Sequence, residues 1–180
     1  LEHEFHVIQS QNSSKQIDKS VFSSNFNFYD LKANPLSILK RINEVRSIEK
    51  SIKPNVVFTT FGPSYHKSDC PKIVGFAIPH LIYKNSPFFK KMLIKDKLKN
   101  KIINIYQRYF FAKNSDVLIF ESDESREIFI SSINKNVQSY TVNNTLNEVF
   151  LNREKWIDFS MINNSELKIL SLSANYPHKN

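Results

Sequence analysis

Short runs of β-branched and apolar residues alternate along this chain with stretches of helical period. That alternation restricts the fold more than any other feature. Glu4–Gln9 (EFHVIQ) reads as a strand. Residues 11–34 carry little pattern and predict a long loop with one short strand near Phe26–Tyr29. Pro35 opens a helix whose Leu36, Leu39, Ile42, Val45, Ile48 and Ile52 share one face, and Lys53-Pro54 stops it. Val56–Thr60 and Ile73–Ile78 are compact apolar runs that predict buried strands, ended by Gly62-Pro63 and Pro79. A basic helix to about Lys113, a strand over Asp116–Phe120, a helix capped by Ser122 and a strand over Val137–Val142 follow. Lys168–Ser173 (KILSLS) reads as a last strand after a polar connector. The order predicts an α/β, Rossmann-like domain: a mostly parallel sheet with helices on both faces. Such sheets bind ligands at the carboxyl ends of their strands. The informative loops are therefore Phe61–Lys67, Pro79–Tyr83, Glu121–Ser125, Asn143–Asn147 and Ala174–Asn180.

Composition removes several functional classes. The only glycines are Gly62 and Gly75, thirteen residues apart. A dinucleotide-binding loop needs three and a Walker A loop needs two at five-residue spacing, so neither is contained here. Cys70 stands alone, which excludes an internal disulfide and a cysteine-cluster zinc site and suits a reducing compartment. His66 and His80 lack carboxylate companions at ligand spacing, and no metal site is expected.

The net charge of +8 belongs to one segment. Residues 84–113 hold nine Lys/Arg and one acid, while the rest of the chain carries sixteen of each sign. Within it, Ile94, Leu98, Ile102, Ile105 or Tyr106, and Tyr109 recur at helical spacing, led by Phe88 and Phe89. Such a helix can rest on an anionic membrane, with Phe88, Phe89, Lys90, Lys91, Lys95 and Lys97 facing it. The plainer alternative is a helix packed on the sheet with its lysines in water. Nucleic acid would feel the same field, yet no helix-turn-helix, finger or RNP-like strand accompanies it, and none is expected as a partner.

Three further groups invite chemistry. His80 follows Pro79 at a strand end, where an imidazole can bond a substrate hydroxyl or phosphate; a structural histidine is the commoner outcome for such a residue. Tyr65, His66 and Lys67 form a polar cluster that reads as an acceptor-facing loop, and Glu121 ends a strand where it could bind a sugar hydroxyl or pair with a lysine. Lys179 follows the last strand, where an ammonium can neutralise a phosphate or simply be exposed.

Taken in order, "KPNVVFTTFGPSY", "PKIVGFAIPHLIY", "SDVLIFES", "VNNTLNEVF" and "KILSLSANYPHKN" resemble the strand-end motifs of the group 1 (family 4) retaining glycosyltransferases of the two-domain GT-B fold, over residues 54–180. The resemblance implies an N-terminal acceptor-side domain over 1–150 lacking its first strand, a linker at 151–166, and the first strand and loop of a donor-binding domain over 167–180. It implies a chain cut at both ends, with little transferase activity by itself. It gives His80 the position beside the transferred sugar and Lys179 a contact to the donor diphosphate. The family's Gly-Arg pair after that strand is replaced by Ser173-Ala174. It further implies a nucleotide-sugar co-substrate with no other cofactor, a glycan or lipid-linked acceptor, and a cytoplasmic enzyme of envelope polysaccharide or glycolipid synthesis at the inner face of the plasma membrane. The alternative from another class is a non-catalytic α/β module that binds a nucleotide or a partner.

Overall fold

The computed structural model describes residues 3–34, 37–83, 87–133 and 135–143, with Asn152 and Glu154. Strand β1 (Phe5–Ser10) pairs in parallel with β2 (Phe26–Leu31), in register from Phe5↔Phe26 to Ser10↔Leu31. The Phe5 and Phe26 rings stack with centroids 4.7 Å apart, and Phe22 closes on Phe26 and Phe28. Between the strands, Ser10 caps the short helix α1 (Gln11–Ser14) and Asp18 caps a 3-10 turn over Lys19–Val21. The region expected to be mostly loop is thus two capped turns and a six-residue strand. Exposed Asp30 ties it together by accepting from Gln9, Ser14 and Lys19.

Helix α2 (Ile38–Ile52) leads from this sheet to the next. Lys53 ends it at φ 53°, a left-handed conformation in which its N–H reaches Glu49 O. The second sheet runs β3 (Val57–Thr59), β4 (Lys72–Gly75), β5 (Val117–Phe120) and β6 (Gln138–Thr141), in that order and parallel throughout. The helices that link these strands are the single turn α3 (Pro87–Lys90), the long α4 (Ile94–Lys113) and α5 (Asp123–Ser131). The α/β, Rossmann-like class expected from the alternation is what the chain adopts. Apart from Asn152 and Glu154, the proposed linker lies outside the described residues, as does the last strand.

Alternation along the strands decides where the core forms. Val74, Leu118 and Phe120 point to one face, where they meet Phe76, Phe111 of α4 and Phe129 of α5, all buried. Phe76 lies 4.5–5.2 Å, centroid to centroid, from Phe111, Phe120 and Phe129. Gly75 is required by close approach: a Cβ there would collide with the Thr60 carbonyl oxygen. One expectation fails at β3. It is the outermost strand of its sheet among the described residues, only three residues long, and its Phe58 is 58 % exposed rather than buried.

Helix α4 is too long for the sheet it covers. Twenty residues span about 30 Å, whereas a four-residue strand spans about 13 Å. Its C-terminal half reaches the core through Phe111, and its N-terminal half overhangs the carboxyl edge of the sheet, where Gln107 meets His80. Ile94, Leu98, Ile102, Ile105, Tyr106 and Tyr109 all face solvent. The inward row carries Asn100, Asn104 and Gln107, half-buried, and Asn104 Oδ1 is buried without a hydrogen-bond partner. Over this half the helix is amphipathic with its apolar side turned outward.

Candidate functional site

All four strands of the second sheet end on one edge, because they are parallel. After β4 the chain makes a 3-10 turn over Pro79–Leu81. Leu81 is fully buried and anchors the turn, while the Arg108 guanidinium donates to the Leu81 carbonyl and to Ser132 Oγ. His80 is thereby held on the outside of a fixed turn. Its Nε2 lies 3.3 Å from Gln107 Oε1. With that oxygen as partner, Nε2 donates and Nδ1 of the neutral ring is left to accept a hydrogen bond from a bound hydroxyl.

Glu121 is exposed directly after β5, the neighbouring strand, so it reaches the same edge as His80. Ser122 then caps α5 by accepting from Ser125 N. A network missed by sequence reasoning completes this edge: Asp123 accepts from Thr141 Oγ1 at 2.6 Å and from Arg126 at 3.2 Å, and Arg126 Nε donates to Thr141. The Thr141 and Arg126 contacts hold the Asp123 carboxyl below its usual range. The signal was an acid at the first helical position with an arginine three residues on, a neighbouring pair on any helix.

Tyr65, His66 and Lys67 do not act as one cluster. Tyr65 is part-exposed and meets Phe110 edge-on at 5.0 Å, and Lys67 stands in solvent. His66 is buried, with Nε2 against Glu49 Oε2. The other Glu49 oxygen accepts from Ser68 Oγ and from Asp69 N. Glu49 sits near the end of α2, and Lys72, whose Nζ donates to the His66 carbonyl at 2.6 Å, opens β4. This polar knot therefore lies at the amino end of the sheet, and His66 stands at the opposite end of β4 from His80.

Burial depresses the Lys72 ammonium from 10.5 to about 8, against the pull of Glu49, Cys70 and Asp116. A depressed lysine favours unfolding while it is charged. Between about pH 8 and 10.5 the unfolded chain keeps a proton that the folded chain has released, so stability rises with pH there. Denaturant titrations should show the wild type gaining up to about 3 kcal/mol relative to Lys72→Met across that window. A difference that stays constant with pH would contradict the assignment.

Among the described residues, no three of His, Cys, Asp and Glu stand together in a way that could hold a metal ion, and no helix is long and apolar enough to cross a membrane. Lys179 lies outside the described residues. In α3, Phe89 is half-buried, and the side chain of Phe88 lies outside the description; Lys90, Lys91, Lys95 and Lys97 are exposed. No model of a known protein family matches the chain, and no curated protein matches it.

Proposed function

We propose that this chain is the acceptor-side part of a glycosyltransferase that moves a sugar from a nucleotide-diphosphate donor to a hydroxyl, with retention at the anomeric carbon. One observation carries the reading: His80 stands exposed on a rigid turn at the carboxyl end of a buried parallel strand, with Glu121 at the end of the next. That edge is where open α/β sheets take their ligands. The order of strand-end motifs supports the same reading. In this reaction His80 bonds a hydroxyl of the transferred sugar and Glu121 takes a second one. As the donor bond breaks, negative charge grows on the leaving diphosphate, and the Lys179 ammonium offsets it. Holding donor and acceptor together in a closed cleft removes most of the entropic barrier.

The test is His80→Ala in a polypeptide that carries this chain together with the donor-binding domain the reading requires. Nucleotide release is followed over a panel of UDP-, GDP- and ADP-linked sugars. Turnover should fall by about a hundredfold or more, with an unchanged melting temperature because the ring is exposed. Unimpaired turnover would refute the role. A second reading, a nucleotide- or partner-binding module without catalysis, is favoured by Ser173-Ala174 standing where the resembling enzymes carry Gly-Arg. Sugar transfer by the wild type would eliminate it.

Of the two acceptors the resemblance implies, a glycan or a lipid-linked one, the lipid-linked acceptor lies at a membrane, and the overhanging half of α4 suits that surface. Its outward row of Ile94, Leu98, Ile102 and Ile105 is flanked by Lys95, Lys97, Lys99 and Lys101. Apolar side chains can enter the acyl boundary while ammonium groups meet anionic headgroups. Flotation with phosphatidylglycerol vesicles at ~150 mM salt should recover the wild type, and Leu98→Ser/Ile102→Ser should reduce recovery about tenfold. Equal recovery of the variant, or binding of DNA instead of vesicles at that salt, would contradict the proposal.

A further inference from the structure

We propose that the hollow between the last turns of α4 and the end of α5 binds a phosphate dianion. The hollow is an open cavity of about 550 Å³, walled by Arg108, Tyr109 and Lys113 from α4 and by Ser132 and Lys135 beyond α5. Arg108 joins its wall to the Leu81 carbonyl next to His80, but none of the lining residues is His80 or Glu121, and the proposal does not depend on the transferase reading.

Three cations converge here, and each has only neutral partners. Arg108 donates to Ser132 Oγ and the Leu81 carbonyl, Lys113 to the Tyr109 hydroxyl at 2.7 Å, and Lys135 to the Ala112 carbonyl at 2.8 Å. No carboxylate among the described residues lies within ion-pair distance of any of them. Lys135 is accounted for by the end of α4, whose terminal carbonyls attract a cation. Lys113, the last residue of that helix, is explained in the same way, whereas Arg108 is not. Arg108 is half-buried over the Phe129 ring at 5.8 Å, and burial alone lowers its pKa. A desolvated guanidinium without a counter-charge, fixed by a carbonyl and a hydroxyl, is a preorganised anion receptor. Three positive groups around one hollow concentrate the field there, and a dianion matches it better than a single carboxylate.

The phosphate has two possible sources. Tyr109 belongs both to the wall of the hollow and to the outward apolar row of α4, so a lipid headgroup can reach the site from that side, and a soluble phosphate can reach it from solvent.

The experiment is a calorimetric titration of the full chain with inorganic pyrophosphate at constant ionic strength, repeated with dihexanoyl phosphatidic acid below its micellar concentration. Lys113→Gln/Lys135→Gln should weaken pyrophosphate binding about tenfold or more. Lys90→Gln/Lys91→Gln removes the same charge before α4 begins and should change it less than about twofold. Both pairs are exposed, and their melting temperatures check that folding is unchanged. Tighter binding of the short-chain lipid than of pyrophosphate assigns the site to a headgroup, and the reverse assigns it to a soluble phosphate. No heat of binding in the wild type, or equal losses in the two double variants, would overturn the proposal.

Discussion

Phe129→Ala should lower the unfolding free energy by about 4 kcal/mol. Phe129 is fully buried and contacts Phe76, Phe111 and Phe120, with centroids 4.5, 5.3 and 5.8 Å away. It is the side chain that fastens α5 to the sheet and to α4 at once. Truncation removes the transfer free energy of a benzyl group and leaves a cavity whose walls are other rings, which cannot collapse into it. A domain of this size is stable by only about 5–15 kcal/mol, so the loss is a large share of the whole. A urea midpoint that falls with an unchanged slope would match this. Phe129→Leu fills part of the space and should fall between the two. A loss under about 1 kcal/mol for the alanine variant would mean that the ring cluster is not the core of the domain.

Glu49→Ala is expected to cost about 3 kcal/mol, because it strips a buried acceptor from three donors at once. Ser68 Oγ, Asp69 N and the His66 ring all point at this carboxylate. Burial raises the Glu49 pKa, but the hydrogen bonds from Ser68, His66 and Asp69 and the His66 charge together bring it below the usual 4.5. The folded carboxyl therefore resists protonation more than the unfolded one. Its contribution is complete above about pH 4.5 and is lost as pH falls through the lower folded value. The variant should be less stable at neutral pH and show a flatter acid limb. An acid limb as steep as that of the wild type would place the titrating group elsewhere.

The parallel sheet was legible because each strand end carries its own punctuation, such as Pro79 after β4 and Ser122 after β5. The same punctuation singled out His80, whose exposure follows from the buried Leu81 beside it. The knot around Glu49 was less legible, since its partners come from α2, a loop and β4. A signal was nevertheless present: Glu49 falls in the apolar row of Ile42, Val45 and Ile52, where a carboxylate must find buried donors. For α4 the period of the apolar residues was read correctly, and their direction was left open between a membrane and the sheet. Period fixes which residues share a face. Only the mismatch between a long helix and short strands decides that this face meets water. Phe58 was misjudged for a related reason: a β-branched run looks the same at the edge of a sheet as at its centre.

The proposed transferase cleft requires that the carboxyl end of the sheet meets substrate. Hydrogen-exchange mass spectrometry can report it directly, on a polypeptide that joins this chain to the donor-binding domain the proposal requires, with and without saturating nucleotide sugar. Amides of residues 78–82 and 121–123 should become protected, while those around Glu49, His66 and Lys72 should exchange as before. Protection confined to the amino end of the sheet, or none at the strand ends, would contradict a cleft built on His80.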